Sequence, residues 1–260
     1  MLTDSSLVYQ DPQTTTLASL AVEMTKVSVT YRVPREKHST LKEFAIRWLQ
    51  RRVEMMDILA VQSVSLSVKE AEIFGIIGRN GAGKTTLLKV LAGVLQPTEG
   101  RVLVRGSIVP MLDLGAGFHP ELTGRENVFL YGTMLGQSKR EIESTFDEIV
   151  DYAELIKFID SPLRAYSTGM VARLGFSIAT SKHADVLLVD EGLSVGDVHF
   201  QHKCLSRMQQ FRERGATIIL VTQALDIVQS YCDRAAWIDE GRVIEVGPVD
   251  GVVDKFMLSH

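Results

Sequence analysis

"GRNGAGKTT", residues 78–86, stands between an apolar run, "IFGII" (73–77), and a stretch with helical spacing, "KTTLLKVLAGVL" (84–95). A buried strand that passes through glycines straight into a helix builds an anion site. Gly78, Gly81 and Gly83 let the chain turn tightly enough to aim backbone N–H groups at phosphate oxygens, and the positive end of the helix adds its field. Asn80, Ala82 and Thr86 belong to the same phosphate-wrapping stretch. Lys84 is placed to neutralise the β- and γ-phosphates of ATP, and Thr85 to offer its hydroxyl to Mg²⁺.

A second stretch, "VLLVDEGLSVGD" (186–197), ends an apolar strand in two adjacent carboxylates, Asp190 and Glu191. A phosphate site nearby explains them. The expected arrangement sets the Asp190 strand beside the "IFGII" strand, so that Asp190 holds the magnesium directly or through water. Glu191, one residue on, then faces the γ-phosphate and orients or deprotonates the attacking water.

Working outward, "TIILVT" (217–222) is another short buried run, and helical stretches separate it from the others. This alternation is the pattern of a parallel sheet flanked by helices. Ahead of it, "VEMTKVSVTYRV" (22–33) and "VQSVSLSV" (61–68) alternate apolar and polar residues and predict an antiparallel edge sheet. Residues from about 120 to 165 read as mostly helical, a subdomain inserted into the core over about 115–180. "AAWIDE" and "RVIEVG" predict a closing pair of strands joined at Gly241, followed by a short helix. The fold class is therefore α/β, one domain over 21–260, preceded by a loosely attached tail over 1–20 that is rich in Ser, Thr and Asp.

The bulk numbers agree. Of 260 residues, 45% are hydrophobic and 23% charged, and the formal charge of -4 gives no sign of a nucleic-acid binder. No stretch reaches the roughly 18–20 apolar residues of a membrane span, and the N-terminus lacks the pattern of a secretory signal, which points to the cytoplasm. Cys204 and Cys232 read as reduced thiols without a role.

The next motif separates the phosphate-loop ATPases from one another. "YSTGMVARLGFSIAT" (166–180), shortly before the Asp190 strand, resembles the signature motif of ABC-transporter ATPases; Ser167 and Gly169 match its phosphate-contacting positions, whereas Thr168 and Met170 depart from its commonest form. "SVGD" (194–197) resembles the loop that crosses the dimer interface in that family. "LGAGFHPELTGREN" (114–127), the form of the signature, and "VDEGLSVGD" followed by Phe200, Lys203 and Cys204 resemble the ATPase subunits of polysaccharide exporters.

The resemblance implies a homodimer that sandwiches two ATP–Mg²⁺, with Ser167 and Gly169 of one copy meeting the nucleotide of the other. It implies an integral membrane permease as partner, a lipid-linked glycan such as O-antigen or teichoic acid as cargo, and a place at the cytoplasmic face of the cell membrane. It also puts Tyr31 where an aromatic stacks on adenine. Some members carry a C-terminal carbohydrate-binding domain, which is not expected here. Two other readings stay open: an ABC ATPase of another transporter class, and a soluble ABC protein acting on nucleic acid or ribosomes.

Two departures stand out. Where the family has a glutamine at the entry to the helical subdomain, "IVPMLDLGAGFHPE" offers Asp113, a candidate for holding magnesium or water. Where the family has a Ser-His pair, this chain has Thr222-Gln223; the amide can donate a hydrogen bond to a γ-phosphate but carries no charge. Finally, the stretch "STLKEFAIRWLQRRVEMM" (39–56) predicts an amphipathic helix over 40–53, starting at a Thr40/Glu43 capping box and docked on its own domain or touching a membrane subunit or lipid.

Overall fold

The structure is a computed structural model; it describes residues 7–10, 19–34, 55–112, 114–190 and 197–259. Ten strands and seven α-helices are defined among the described residues. A six-stranded sheet has the order β10-β9-β4-β8-β7-β6, formed by Ile73–Ile77 (β4), Ile108–Met111 (β6), Val186–Asp190 (β7), Thr217–Val221 (β8), Arg234–Asp239 (β9) and Arg242–Pro248 (β10). All its neighbours pair in parallel except β9 with β10. A four-stranded sheet packs on it, in the order β1-β5-β2-β3, formed by Leu7–Gln10 (β1), Leu20–Pro34 (β2), Met55–Lys69 (β3) and Glu99–Arg105 (β5).

The central strands are buried on both faces, and their side chains alternate between two cores. Phe74, Ile76, Val186, Leu188, Ile219 and Val221 join the core shared with the smaller sheet and with α1 (Lys84–Leu91). Ile73, Ile77, Leu187, Val189, Ile218 and Leu220 face the other way, against α5 (Val198–Glu213), α6 (Leu225–Tyr231) and α7 (Val249–Leu258). Burial on both faces is why these strands read as unbroken apolar runs rather than as alternation.

A third core belongs to the helical segment, where α2 (Gly124–Met134), α3 (Lys139–Ala153) and α4 (Thr168–Ala179) enclose Val128, Ile142, Ile149 and Leu174. Helix α4 is shared: Leu174 and Ile178 enter this third core, while Phe176 and Ala179 enter the core beneath the large sheet.

Two expectations need correction. The Asp190 strand does not lie beside the "IFGII" strand, because β8 pairs with both and separates them; two buried apolar runs carry no local mark of their order in a sheet. Within the segment expected to be a loose tail, Leu7–Gln10 forms a strand parallel to β5. Met55 and Met56, which close the quoted stretch 39–56, open β3 and pair with Pro34 and Val33. The expected amphipathic helix over 40–53 lies outside the described residues.

Candidate functional site: a phosphate loop with two faces

Gly78 leaves β4 at φ 150, and a Cβ there would stand 2.1 Å from the Ile238 carbonyl oxygen, so only glycine lets the loop cross β9 this closely. Gly83 caps α1 in the left-handed region, with φ 102, and a Cβ there would meet the Ala60 carbonyl at 2.6 Å. The turn between β9 and β10 pins the loop: the Gly241 N–H donates to the Ala82 carbonyl at 2.9 Å, and the Gln62 N–H donates to the Gly241 carbonyl at 2.8 Å. The Ala82 methyl is buried beneath the loop. Lys84 is buried, and its ammonium donates to the Gly78 and Arg79 carbonyls at 2.8 and 2.9 Å, which closes the loop around its own cation.

The loop opens on a cavity of about 470 Å³ lined by Asn80, Gly81, Gly83, Lys84, Thr85, Thr86 and Asp190, with Ala60 and Leu112 as its apolar wall. Asp190 is half-buried at the C-terminal end of β7. With β8 between β4 and β7, the two strand ends stand roughly 10 Å apart, two inter-strand spacings. Asp190 and Thr85 line this same cavity, whose volume suffices for a hydrated cation and phosphate oxygens. A hard oxygen set with one carboxylate fits Mg²⁺, which keeps several waters and takes its other ligands from phosphate. No acidic residue lies in the first turn of α1 to compete with an anion for its N-terminus. Tyr31, near the end of β2, places its hydroxyl 3.4 Å from Thr86 Oγ1, which ties it to the rim of this cavity.

A second cavity, of about 410 Å³, lies on the other face of the loop, lined by Gly78, Arg79, Asn80, Gln223, Leu225 and Phe256. Asn80 borders both. Gln223 stands two residues past the end of β8 and is exposed, while the buried Thr222 between them accepts the Ala224 N–H at 3.1 Å and fixes the turn into α6. Sequence reading missed Ala60, Leu112 and Phe256 as lining residues. Leu112 sits one position from a candidate, whereas Phe256, on the last helix, carries no local signal.

Ser167 and Gly169 are not brought to either cavity. Ser167 is the N-cap of α4, its side chain accepting the Met170 N–H at 3.2 Å, and it is exposed, with no acidic residue in the helix's first turn. Beneath it, Tyr166 is anchored by donating its hydroxyl proton to the Phe158 carbonyl at 2.7 Å. Glu191, Asp113 and Ser194–Gly196 of the expected interface loop lie outside the described residues; Asp197, the last of that loop, N-caps α5 by accepting the Phe200 N–H at 2.9 Å. Cys204 and Cys232 are buried free thiols, and burial pushes both up to about 12, so neither is a thiolate at neutral pH. No helix among the described residues is long and apolar enough to cross a membrane.

Comparison with known proteins follows the same lines. The ABC transporter family profile matches residues 61–194. The O-antigen export system ATP-binding protein RfbB of Myxococcus xanthus is 44% identical over 228 residues, covering 86% of this chain and 52% of that protein. RfbB of Klebsiella pneumoniae is 45% identical over 198 residues, 76% of this chain and 80% of that one. The teichoic acids export ATP-binding protein TagH of Bacillus cereus is 42% identical over 197 residues, 76% of this chain but 36% of that protein. The chain thus spans about half the length of the Myxococcus relative and less of TagH. Among solved structures, an ATP-binding subunit of an ABC transporter superposes with a TM-score of 0.71 at 22% identity, over 92% of this chain and 94% of that one. A dimeric ATP-binding cassette in a post-hydrolysis state, bound to ADP and phosphate, gives 0.70 at 22% identity, over 88% and 98%. With the phosphate loop, the Asp190 strand and the capped "YSTGM" helix in place, these likenesses settle the family: the chain belongs to the ABC transporter family of ATPases, in the branch whose named members serve O-antigen and teichoic acid export.

Proposed function

We propose that this chain is the ATP-hydrolysing subunit of a polysaccharide exporter, working as a homodimer that encloses two ATP–Mg²⁺ and drives a partner permease carrying a lipid-linked glycan at the cytoplasmic face of the cell membrane. The observation that carries the reading is a separation. The phosphate loop and Asp190 share one cavity, while Ser167 and Gly169 stand at a helix N-terminus elsewhere on the surface, with no acidic residue in its first turn. Each half is an incomplete phosphate site, and a second copy supplies what the first lacks.

In this reading the Gly81–Lys84 stretch wraps the phosphates, and Lys84 exchanges its two carbonyl partners for phosphate oxygens. Thr85 and Asp190 are the residues that would hold Mg²⁺, whose charge neutralises phosphate oxygens when it is bound. Tyr31 sits at the rim for the adenine. Glu191 prepares the attacking water, and Asp113 stands by the same water or metal. Gln223, across the loop, donates an amide hydrogen bond to the γ-phosphate without the positive charge of a histidine, which predicts slow hydrolysis by the chain alone.

The test is Glu191→Gln. The substitution keeps the shape and removes the base, so ATP binding should trap a dimer visible by light scattering while turnover falls by about 10²-fold or more. A variant that hydrolyses ATP at the normal rate removes Glu191 from its role. Gln223→His, measured in the complex with the permease, should raise turnover; no gain there ends the charge argument.

A further inference from the structure

Helix α3 ends at Glu154 in the left-handed conformation, φ 60 and ψ 39, a place where glycine is the usual residue because a side chain is disfavoured there. What the carboxylate gains in return is a set of basic side chains from two other helices. Lys203 of α5 donates to Glu154 Oε1 at 2.8 Å, Arg173 of α4 donates to Oε2 at 3.3 Å, and His199 of α5 approaches Oε1 at 3.7 Å. These partners hold the Glu154 carboxyl below its ordinary range, the Lys203 hydrogen bond foremost.

Beneath the carboxylate, Lys203 also donates to the Tyr152 carbonyl at 2.8 Å, and Tyr152 returns its hydroxyl proton to the Lys203 carbonyl at 2.7 Å. The Tyr152, Phe176 and Phe200 rings pack together, with the Arg173 guanidinium 5.7 Å from the Phe200 centroid. So α3, α4 and α5 meet at one joint. The position of that joint matters: α4 carries Ser167 and Gly169 at its start, and α5 follows its N-cap Asp197, the first described residue after Asp190.

We propose that Glu154 is a positioning residue for ATP hydrolysis, clamping the signature helix α4 to α5 so that the Ser167 cap and the Asp197 cap at the start of α5 move as one body. This rests on the proposed ATPase reading. A surface ion pair alone would contribute little; the strained backbone, the three basic partners and the three-helix meeting point give this one a purpose other than stability.

Glu154→Gly separates the two roles, because glycine relieves the backbone while deleting the carboxylate. The full chain is purified as wild type, Glu154→Gly and Glu154→Gln, and followed by thermal melting, amide hydrogen exchange and ATP turnover. The expected result for Glu154→Gly is an unchanged or higher Tm, faster exchange at the first turns of α4 and α5, a kcat lower by about tenfold and a KM for ATP within about twofold, because the loop of the same chain is untouched. Glu154→Gln, which keeps one acceptor oxygen, should fall between. Unchanged exchange overturns the clamp, and unchanged kcat in the face of faster exchange, or a kcat that merely follows Tm, overturns its positioning role. A wild-type chain without turnover sinks the ATPase reading and the positioning role together, while the exchange data, taken without nucleotide, still report on the clamp.

Discussion

The large sheet and the helical segment are held together by different physics. In the sheet, β4, β7 and β8 bury nearly every side chain, and order comes from parallel pairing and apolar packing on both faces. In the helical segment, α2 and α3 both begin with complete capping boxes, Thr123/Glu126 and Ser138/Glu141, and the surface carries ion pairs such as Arg125–Asp160 and Lys182–Glu141 around a smaller core. A rigid slab positions the phosphate loop; a smaller unit, defined by caps and charges, presents the serine-glycine cap. The more easily shifted part is the one that, in the proposed dimer, meets a second subunit.

The sharpest break in that comparison is steric. Gly78→Ala drives a methyl into the Ile238 carbonyl and should cost on the order of 3 kcal/mol, read as a lower midpoint in urea, with ATP binding lost. Gly81→Ala, in the same loop but with open space around it, should cost only about 1 kcal/mol for its positive φ.

Acid should act in the opposite place and more gently. Backbone and hydroxyl hydrogen bonds from Thr123 hold Glu126 down, Lys182 followed by Ser138 brings Glu141 to about 2, Lys203 lowers Glu154 and Arg125 lowers Asp160. Outside the helical segment, Asp185 and Asp197 are lowered as well. Because the folded values lie below the unfolded ones, their contribution is complete above the ordinary value of 4.5 and disappears as pH falls through each folded value, last for Glu141 at about 2. Amides of α3 should therefore lose protection at a higher pH than those of β4 and β8. Simultaneous loss in both would erase the distinction between the two regions.

Legibility followed the same divide. The parallel strands were readable because burial on both faces leaves unbroken apolar runs, as in "IFGII" and "TIILV". Their order was not readable: nothing in β8 announces that it separates Gly78 from Asp190. The strand Glu99–Arg105 was missed because only Val102 and Val104 are fully buried in it. Of the site, the loop glycines, Lys84, Thr85 and Asp190 were legible from local chemistry, and Ser167 and Gly169 from family likeness. The second cavity, with Phe256 arriving from the last helix, and the joint at Glu154, a carboxylate where a glycine would be ordinary, exist only once distant helices meet.

The central claim is that a nucleotide is completed by two chains, and mixing two inactive variants tests it most directly. Lys84→Ala destroys the phosphate loop, and Gly169→Asp puts a carboxylate at the helix N-terminus that caps it; each alone should show almost no turnover. In their mixed dimer one site joins an intact loop from one chain with an intact cap from the other, so equal mixing should restore up to about a quarter of wild-type ATP hydrolysis. Turnover no greater than the sum of the separate variants, with mixed dimers shown to form, would contradict the account.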